Sequence, residues 1–208
     1  MKTVGEGNGS GADIFAPLLV DDAEAQQRLH ARLVAAADAE GILDVAYRTI
    51  ETPIGSLLLA ATDRGLVRVA FESEDHDSVL AALSQLISPR VLKAPERLDT
   101  VAREIDQYFD RRRDAFDLPL DLRLARGFRR EVLTHLLEID YGTTATYAWV
   151  AAAAGKPNAV RAAGSACANN PIPVVVPCHR VVRSDGSVGR YAGGTEVKQT
   201  LLALEASA

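Results

Sequence analysis

Only two cysteines, one tryptophan and one methionine occur among the 208 residues. Cys167 and Cys178 stand eleven positions apart, with no C-x-x-C pair and no Cys/His array around them. That spacing excludes a disulfide framework and argues against a zinc site built from thiolates, so no metal is expected. No apolar run approaches the roughly 20 residues needed to span a bilayer. Met1 to Ala12 is rich in Gly and Ser and has no continuous apolar stretch after Lys2, so it does not read as a signal peptide. A cytoplasmic location with no membrane partner is the expectation. Net positive charge is missing too: the chain carries −5 overall, which at first argues against nucleic acid. Its distribution argues the other way. Residues 1–122 hold 13 Lys/Arg against 22 Asp/Glu, a net of −9, whereas residues 123–208 hold 10 against 6, a net of +4. An acidic half joined to a basic half suits a protein that turns one face toward phosphates.

What is present suits one sizeable domain or two small ones with a real core. Residues 1–20 read as a loose tail, and Asp21 to about Asp38 as a helix closed near Gly41. Strands are predicted at Val45–Ile50, Leu57–Thr62 and Leu66–Phe71, joined by turns at Pro53/Gly55 and Asp63-Arg64-Gly65, as an antiparallel meander. Helices follow at about Asp77–Ile87 and Leu98–Arg113, and Leu118–Leu124 reads as an edge strand. The texture then changes. Phe128–Ile139 forms an amphipathic helix. Thr146 reads as the N-cap of a short Ala-rich helix through Ala154, and Asn158 as the cap of a second helix to about Asn169. Gly155-Lys156-Pro157 turns the chain between them, giving a helix-turn-helix pattern. Trp149 and Phe128 read as core anchors.

The second helix of that pair, Asn158 to Ala168, is nearly all small side chains with one long cation, Arg161, near its start. It lacks the long polar side chains of a major-groove reader. Ala162, Ala163, Gly164 and Ser165 would permit close approach to a minor groove about 6 Å wide, with Arg161 replacing an extruded base in the stack. Tight helix packing explains the same composition. Downstream, Val174–Val176 reads as a short buried strand ended by Pro177, which fixes Cys178 and His179 at an element end. A thiol attacks as thiolate, and His179 is a candidate to remove its proton, through a water if the two side chains diverge. Taken alone, each residue reads first as structural. Cys167, on the small-residue helix, reads as a buried packing residue.

Pro177-Cys178-His179-Arg180-Val181-Val182, preceded by Asn170-Pro171-Ile172-Pro173 and followed by Gly189-Arg190-Tyr191-Ala192-Gly193-Gly194, resembles the signature of the O6-alkylguanine-DNA alkyltransferases. The match runs from about Phe128 to Glu205, with a weaker likeness through residues 45–72. The resemblance implies an α/β fold: an N-terminal ribonuclease-H-like small-sheet lobe and a C-terminal winged-helix-like helical DNA-binding lobe. The corresponding segments are an N-terminal extension of tail plus helix at 1–42, an α/β lobe at 43–122 and an alkyltransferase lobe at 123–208. It further implies that Cys178 is the alkyl acceptor and that His179, oriented by Glu205, deprotonates it through a water, lowering the thiol from its free value of about 8.5 so that the sulfur is held as thiolate. Asn170 would brace the active-site turn, and Tyr147 would press on the phosphate beside the flipped nucleotide and donate a proton toward guanine N3. Arg161 would be the finger that fills the stack. Val181, Tyr191, Ala192 and Gly193 would hold the base edge, and Pro173 would line the alkyl pocket.

By the same resemblance the partner is double-stranded DNA carrying alkylated bases, no cofactor is needed, and a monomer is expected. A thioether is a poor leaving group, so one turnover per protein follows. Arg190 stands where the family usually has a smaller residue, and residues 1–42 lie outside the family core. Two other classes fit part of the pattern: a helix-turn-helix regulator or damage sensor without transfer activity, and a cysteine hydrolase using Cys178 and His179.

Overall fold

The computed structural model describes residues 16–206. The described residues fall into two compact units, one ending at Ile42 and the other beginning at Leu43. In the first, helix α1 spans Ala16–Ala39 and ends at Gly41, whose φ of 65° is the left-handed conformation that closes helices. The expected tail lies largely outside the described residues. Among the described residues, no helix is long and apolar enough to cross a membrane.

The second unit begins with the predicted meander. Strands β1 (Val45–Ile50), β2 (Leu57–Thr62) and β3 (Gly65–Phe71) pair antiparallel, with Thr49 opposite Leu58 and Leu59 opposite Val69. Helix α2 (His76–Leu86) follows, and then a strand the sequence did not announce, β4 (Val91–Lys93), parallel to β1. The sheet order is β3-β2-β1-β4. In β2 the period of two puts Leu58 and Ala60 on the face that packs with Val79 and Leu83 of α2, and Leu57 and Leu59 on the other face. Both faces are covered, so this strand reads as an unbroken apolar run.

Helix α3 (Asp99–Phe109) stops four residues before its predicted end, because Arg111 takes a left-handed φ of 57°. The predicted edge strand at Leu118–Leu124 reduces to one bridge between Leu120 and Leu66 and a short 3-10 turn at Leu122–Leu124. Pro119 lacks a donor, and Asp121 turns away to accept from Thr62 Oγ1 at 2.7 Å and from Arg123 N. This segment nevertheless shields β3, the sheet edge: Leu66 N donates to Pro119 O and Asp121 N to Leu66 O, each at 2.8 Å. Farther along, Val69 N donates to Pro171 O at 2.9 Å. Side chains are excluded at the joint: a Cβ on Gly65 would stand 2.1 Å from Pro119 O.

The helical lobe contains α4 (Phe128–Leu136), α5 (Tyr147–Ala153), α6 (Val160–Ala168) and α7 (Gly194–Ala206). A two-residue parallel pair, β5 (Ala145–Thr146) with β6 (Val181–Val182), ties it together. Thr146 Oγ1 accepts from Trp149 N at 3.1 Å, the expected cap of α5. Asn158 does not cap α6. The turn closed by Ala159 N to Lys156 O consumes it, and the helix starts two residues later behind Ala159 without a side-chain cap. Trp149 is 43% exposed and so is not a core anchor, since the turn of α5 puts Val150 and Ala151 inside instead. Phe128 is half-buried, with Lys156 Nζ 5.4 Å from its ring centre. Val132, Leu133, Leu136, Val150, Ala151, Ala163 and Ala166 form the buried interior.

Candidate active site

Residues 170–177 do not form a strand. Pro171, Pro173 and Pro177 have no N–H to give a ladder, and Val174 sits at φ 72°, a conformation rare for a β-branched residue. The segment is a buried turn, closed by Val176 N to Ile172 O at 2.8 Å and braced by one side chain. Asn170 Nδ2 donates to Val176 O at 2.8 Å and approaches Cys178 Sγ at 3.1 Å, while its Oδ1 accepts from Ile172 N at 3.0 Å. The turn delivers the chain into a single 3-10 turn, Cys178–Arg180, in which all three side chains are buried. Pro173 is buried in the same turn.

His179 Nε2 lies 2.8 Å from Glu205 Oε1, with both residues buried, whereas His179 Nδ1 has no hydrogen-bond partner among the described residues. Glu205 is also held by groups that sequence reasoning missed. Arg180 Nε donates to Oε2 at 2.8 Å and its Nη2 to Oε1 at 3.0 Å, while Tyr108 Oη, from the other lobe, donates to Oε1 at 2.7 Å. Lys198 is the third omission. Fully buried, it donates from Nζ to Val181 O at 2.5 Å and stands 5.8 Å from the Tyr147 ring centre. Its spacing held the signal: Lys198, Leu201 and Glu205 recur at i, i+3 and i+7, one face of α7, and all three are buried. Nothing in the sequence pointed to Tyr108.

The electrostatics correct one expectation. Burial pushes the Cys178 thiol up to about 11, against the lowering effect of the Asn170 hydrogen bond and the Lys198 charge. The resting sulfur is therefore protonated at neutral pH rather than held as thiolate, because a fully enclosed anion costs more than these neighbours return. Burial likewise lowers His179, outweighing the Glu205 carboxylate, so the imidazole is neutral and able to accept a proton. For Glu205, burial acts upward, but the hydrogen bonds from His179 and Arg180 bring it down to about 2 and keep it ionised.

Tyr147, at the start of α5, is half-buried beside Gly164 and Gly189, where a Cβ on Gly189 would stand 2.1 Å from its hydroxyl. Burial, then the two cysteines, push its phenol up to about 12, so it remains a donor. On α6, Arg161, Ala162 and Ser165 are exposed and Gly164 is half-buried. Ala163 faces inward at 0% exposure and cannot meet a DNA surface as expected, since it packs in the core of the helical lobe. Val181 and Tyr191 are buried, Ala192 is half-buried, and Gly193 packs against Phe71, whose ring edge meets Tyr191 at 5.6 Å between centroids. Arg190 is exposed. Cys167 is buried, as a packing residue would be.

Comparison with known proteins gives a consistent result. The family model described as 6-O-methylguanine DNA methyltransferase, ribonuclease-like domain, matches residues 45–122, and the model for the DNA binding domain of the same proteins matches residues 127–207. A methylated-DNA–protein-cysteine methyltransferase of Methanosarcina barkeri is 38% identical over 76% of this chain and 96% of its own length. The Homo sapiens protein of that name is 35% identical over 76% and 78%. Among solved structures, the Mycobacterium tuberculosis O6-methylguanine methyltransferase superposes with a TM-score of 0.69 at 35% identity, covering 78% of this chain and 93% of the other. The same enzyme in complex with DNA gives 0.67. With its small sheet, its helical lobe and its buried Pro-Cys-His-Arg turn all matched across more than three quarters of its length, this chain belongs to the 6-O-methylguanine DNA methyltransferase family.

Proposed function

We propose that the protein repairs DNA by direct reversal, with Cys178 taking the alkyl group from O6-alkylguanine in a duplex and keeping it. A new S–C bond forms as the C–O6 bond breaks. The thiol proton passes through a water to His179 Nδ1, and the purine leaving as an anion takes its proton from the Tyr147 hydroxyl; solvent then returns a proton to the phenolate and removes one from the imidazolium. The observation that carries this reading is the buried sulfur gripped by Asn170, next in the chain to a neutral imidazole whose Nε2 is tied to a carboxylate and whose Nδ1 has no partner among the described residues. In this scheme Glu205 orients His179, Pro173 lines the alkyl pocket, and Val181, Tyr191, Ala192 and Gly193 surround the base. In this reading the α/β lobe at 43–122 and the alkyltransferase lobe at 123–208 form the working unit, outside the N-terminal extension at 1–42, and the protein acts as a monomer on DNA carrying alkylated bases. O4-alkylthymine presents the same alkyl–oxygen bond and is the candidate second substrate for the same mass measurement.

Incubation with excess O6-methylguanine duplex should add one methyl, about 14 Da, to the peptide holding Cys178, in a burst that stops at one equivalent. A regulator or damage sensor stays unmodified, and a cysteine hydrolase turns over repeatedly.

The proton route has its own signature. Thiol plus neutral imidazole carries the same number of protons as thiolate plus imidazolium, so native transfer should be flat with pH from above the lowered His179 value to near 10. In His179→Gln the sulfur must ionise unaided. Single-turnover rates should then fall about 10²–10⁴-fold at pH 7 and recover about tenfold per pH unit up to pH 9. A flat profile in the variant contradicts the route.

Arg161, exposed in the first turn of α6, fills the stack that the flipped base leaves. Arg161→Ala should slow repair in duplex about tenfold or more, by analogy with the few kcal/mol that unstacking costs, yet leave reaction with free O6-benzylguanine unchanged. Equal losses on both substrates would contradict the finger role.

A further inference from the structure

Tyr108 lies near the end of α3 in the N-terminal lobe, fully buried, its ring edge-on to Tyr141 at 6.1 Å. A buried phenol needs an acceptor, and many would serve. This one reaches Glu205 Oε1, the same oxygen that meets His179 Nε2 at 2.8 Å and accepts from Arg180 Nη2 at 3.0 Å. Among the described residues, Oε2 takes Arg180 Nε and, at 3.3 Å, Gly142 N. A carboxylate oxygen offers about two lone-pair directions, so three donors on Oε1 compete.

We propose that Tyr108 is a positioning residue for alkyl transfer, holding Glu205 Oε1 from across the lobe boundary and so setting how tightly that carboxylate grips His179. The inference rests on the Cys178–His179–Glu205 relay described above. Each donor on Oε1 withdraws charge from it and weakens its hold on the imidazole N–H. A looser hold keeps the imidazole from retaining a second proton, which leaves it free to receive the one from Cys178. The other groups around the pair are fixed in sign. Arg180 and Lys198 are cations that disfavour imidazolium, while Tyr141, Tyr191 and the Cys178 thiol are neutral in the working range. Burial, then the Glu205 charge, raises the Tyr108 phenol beyond its ordinary range, so it donates at every working pH.

The test is the pH profile of single-turnover transfer from an O6-methylguanine duplex between pH 4 and 9, with circular dichroism at each pH to certify the fold. His179 ring nitrogen shifts are followed by NMR in the same proteins. In Tyr108→Phe the acid limb and the His179 midpoint should both move upward by about half a unit to one unit, the range expected for losing one net hydrogen bond. Site-specific 3-fluorotyrosine at position 108, a stronger donor of nearly the same size, should move both downward. A merely structural tyrosine would lower thermal stability in the phenylalanine variant and leave both midpoints where they were. That outcome overturns the proposal, as does an unmoved midpoint in the fluorotyrosine protein should the phenylalanine variant fail to fold. A native profile without any acid limb, or His179→Gln matching the native rate, would instead bring down the relay itself.

Discussion

Cys178→Ala should abolish alkyl transfer completely while leaving the affinity for duplex DNA within about twofold of native. The first half follows from chemistry. Cys167 is the only other thiol, and burial followed by the neighbouring Cys178 pushes it still further from ionisation. Alanine provides no atom able to form the S–C bond. The second half follows from placement. Cys178 is 2% exposed, whereas Arg161, Ala162 and Ser165 present an exposed surface on α6. Truncating one buried sulfur removes no phosphate contact and little volume, and the turn keeps its Asn170 bonds to Val176 and Ile172. Gel-shift titration and intact mass on the same preparation read both halves. Binding lost together with transfer would mean that the sulfur and the docking helix are not separate.

The largest effect on stability belongs to Glu205. It is the hub of a buried network in which Arg180 donates twice to the carboxylate and once more to Ile139 O, and Tyr108 and His179 share one of its oxygens. Glu205→Gln keeps the shape but removes the charge that compensates Arg180, and it forces an NH2 against donors. A broken buried pair costs about 3–5 kcal/mol, which the neutral amide does not repair. Urea unfolding at pH 7 should show that loss, with the m-value unchanged. The pH dependence fixes the sign. A carboxyl lowered from 4.5 to about 2 by its native partners stabilises the fold fully above its unfolded value, and that contribution is lost as pH falls through the folded value. Native protein should therefore lose stability between about pH 4.5 and 2, with the gap to Glu205→Gln closing over that window. His179, also lowered, adds a loss of the same sign as acid protonates a buried ring. A variant as stable as native at pH 7 would show the network to be dispensable.

How much of this was legible beforehand depended on the kind of signal. The meander was, because Val45–Ile50, Leu57–Thr62 and Leu66–Phe71 are β-rich runs separated by Pro, Gly and Asp-Arg-Gly turns. So were the Thr146 cap and the two short helices behind it. The turn carrying Cys178 was not. Three valines read as a strand, and only the prolines flanking them, with Val174 in a left-handed conformation, reveal a turn. The three-residue β4 is too short to carry a pattern. At the site, Cys178, His179, Asn170 and Glu205 came from a local motif and its satellites, and the structure brings them together. Tyr108 could not be read, since a contact spanning 97 positions and two lobes leaves no mark in local spacing. The protonation state was misjudged for a related reason: burial, which sequence does not display, outweighs the neighbours that sequence does.

The covered rim of β3 bears on any attempt to divide this protein. Its amides at Leu66 and Val69 are satisfied by carbonyls of Pro119 and Pro171, the latter belonging to the turn that leads into Cys178. Cutting the chain near residue 122 and purifying the two fragments would strip the Pro171 carbonyl from the strand, leaving an apolar border ready to zip onto its own kind. The amino-terminal fragment should then self-associate until its other half is added back.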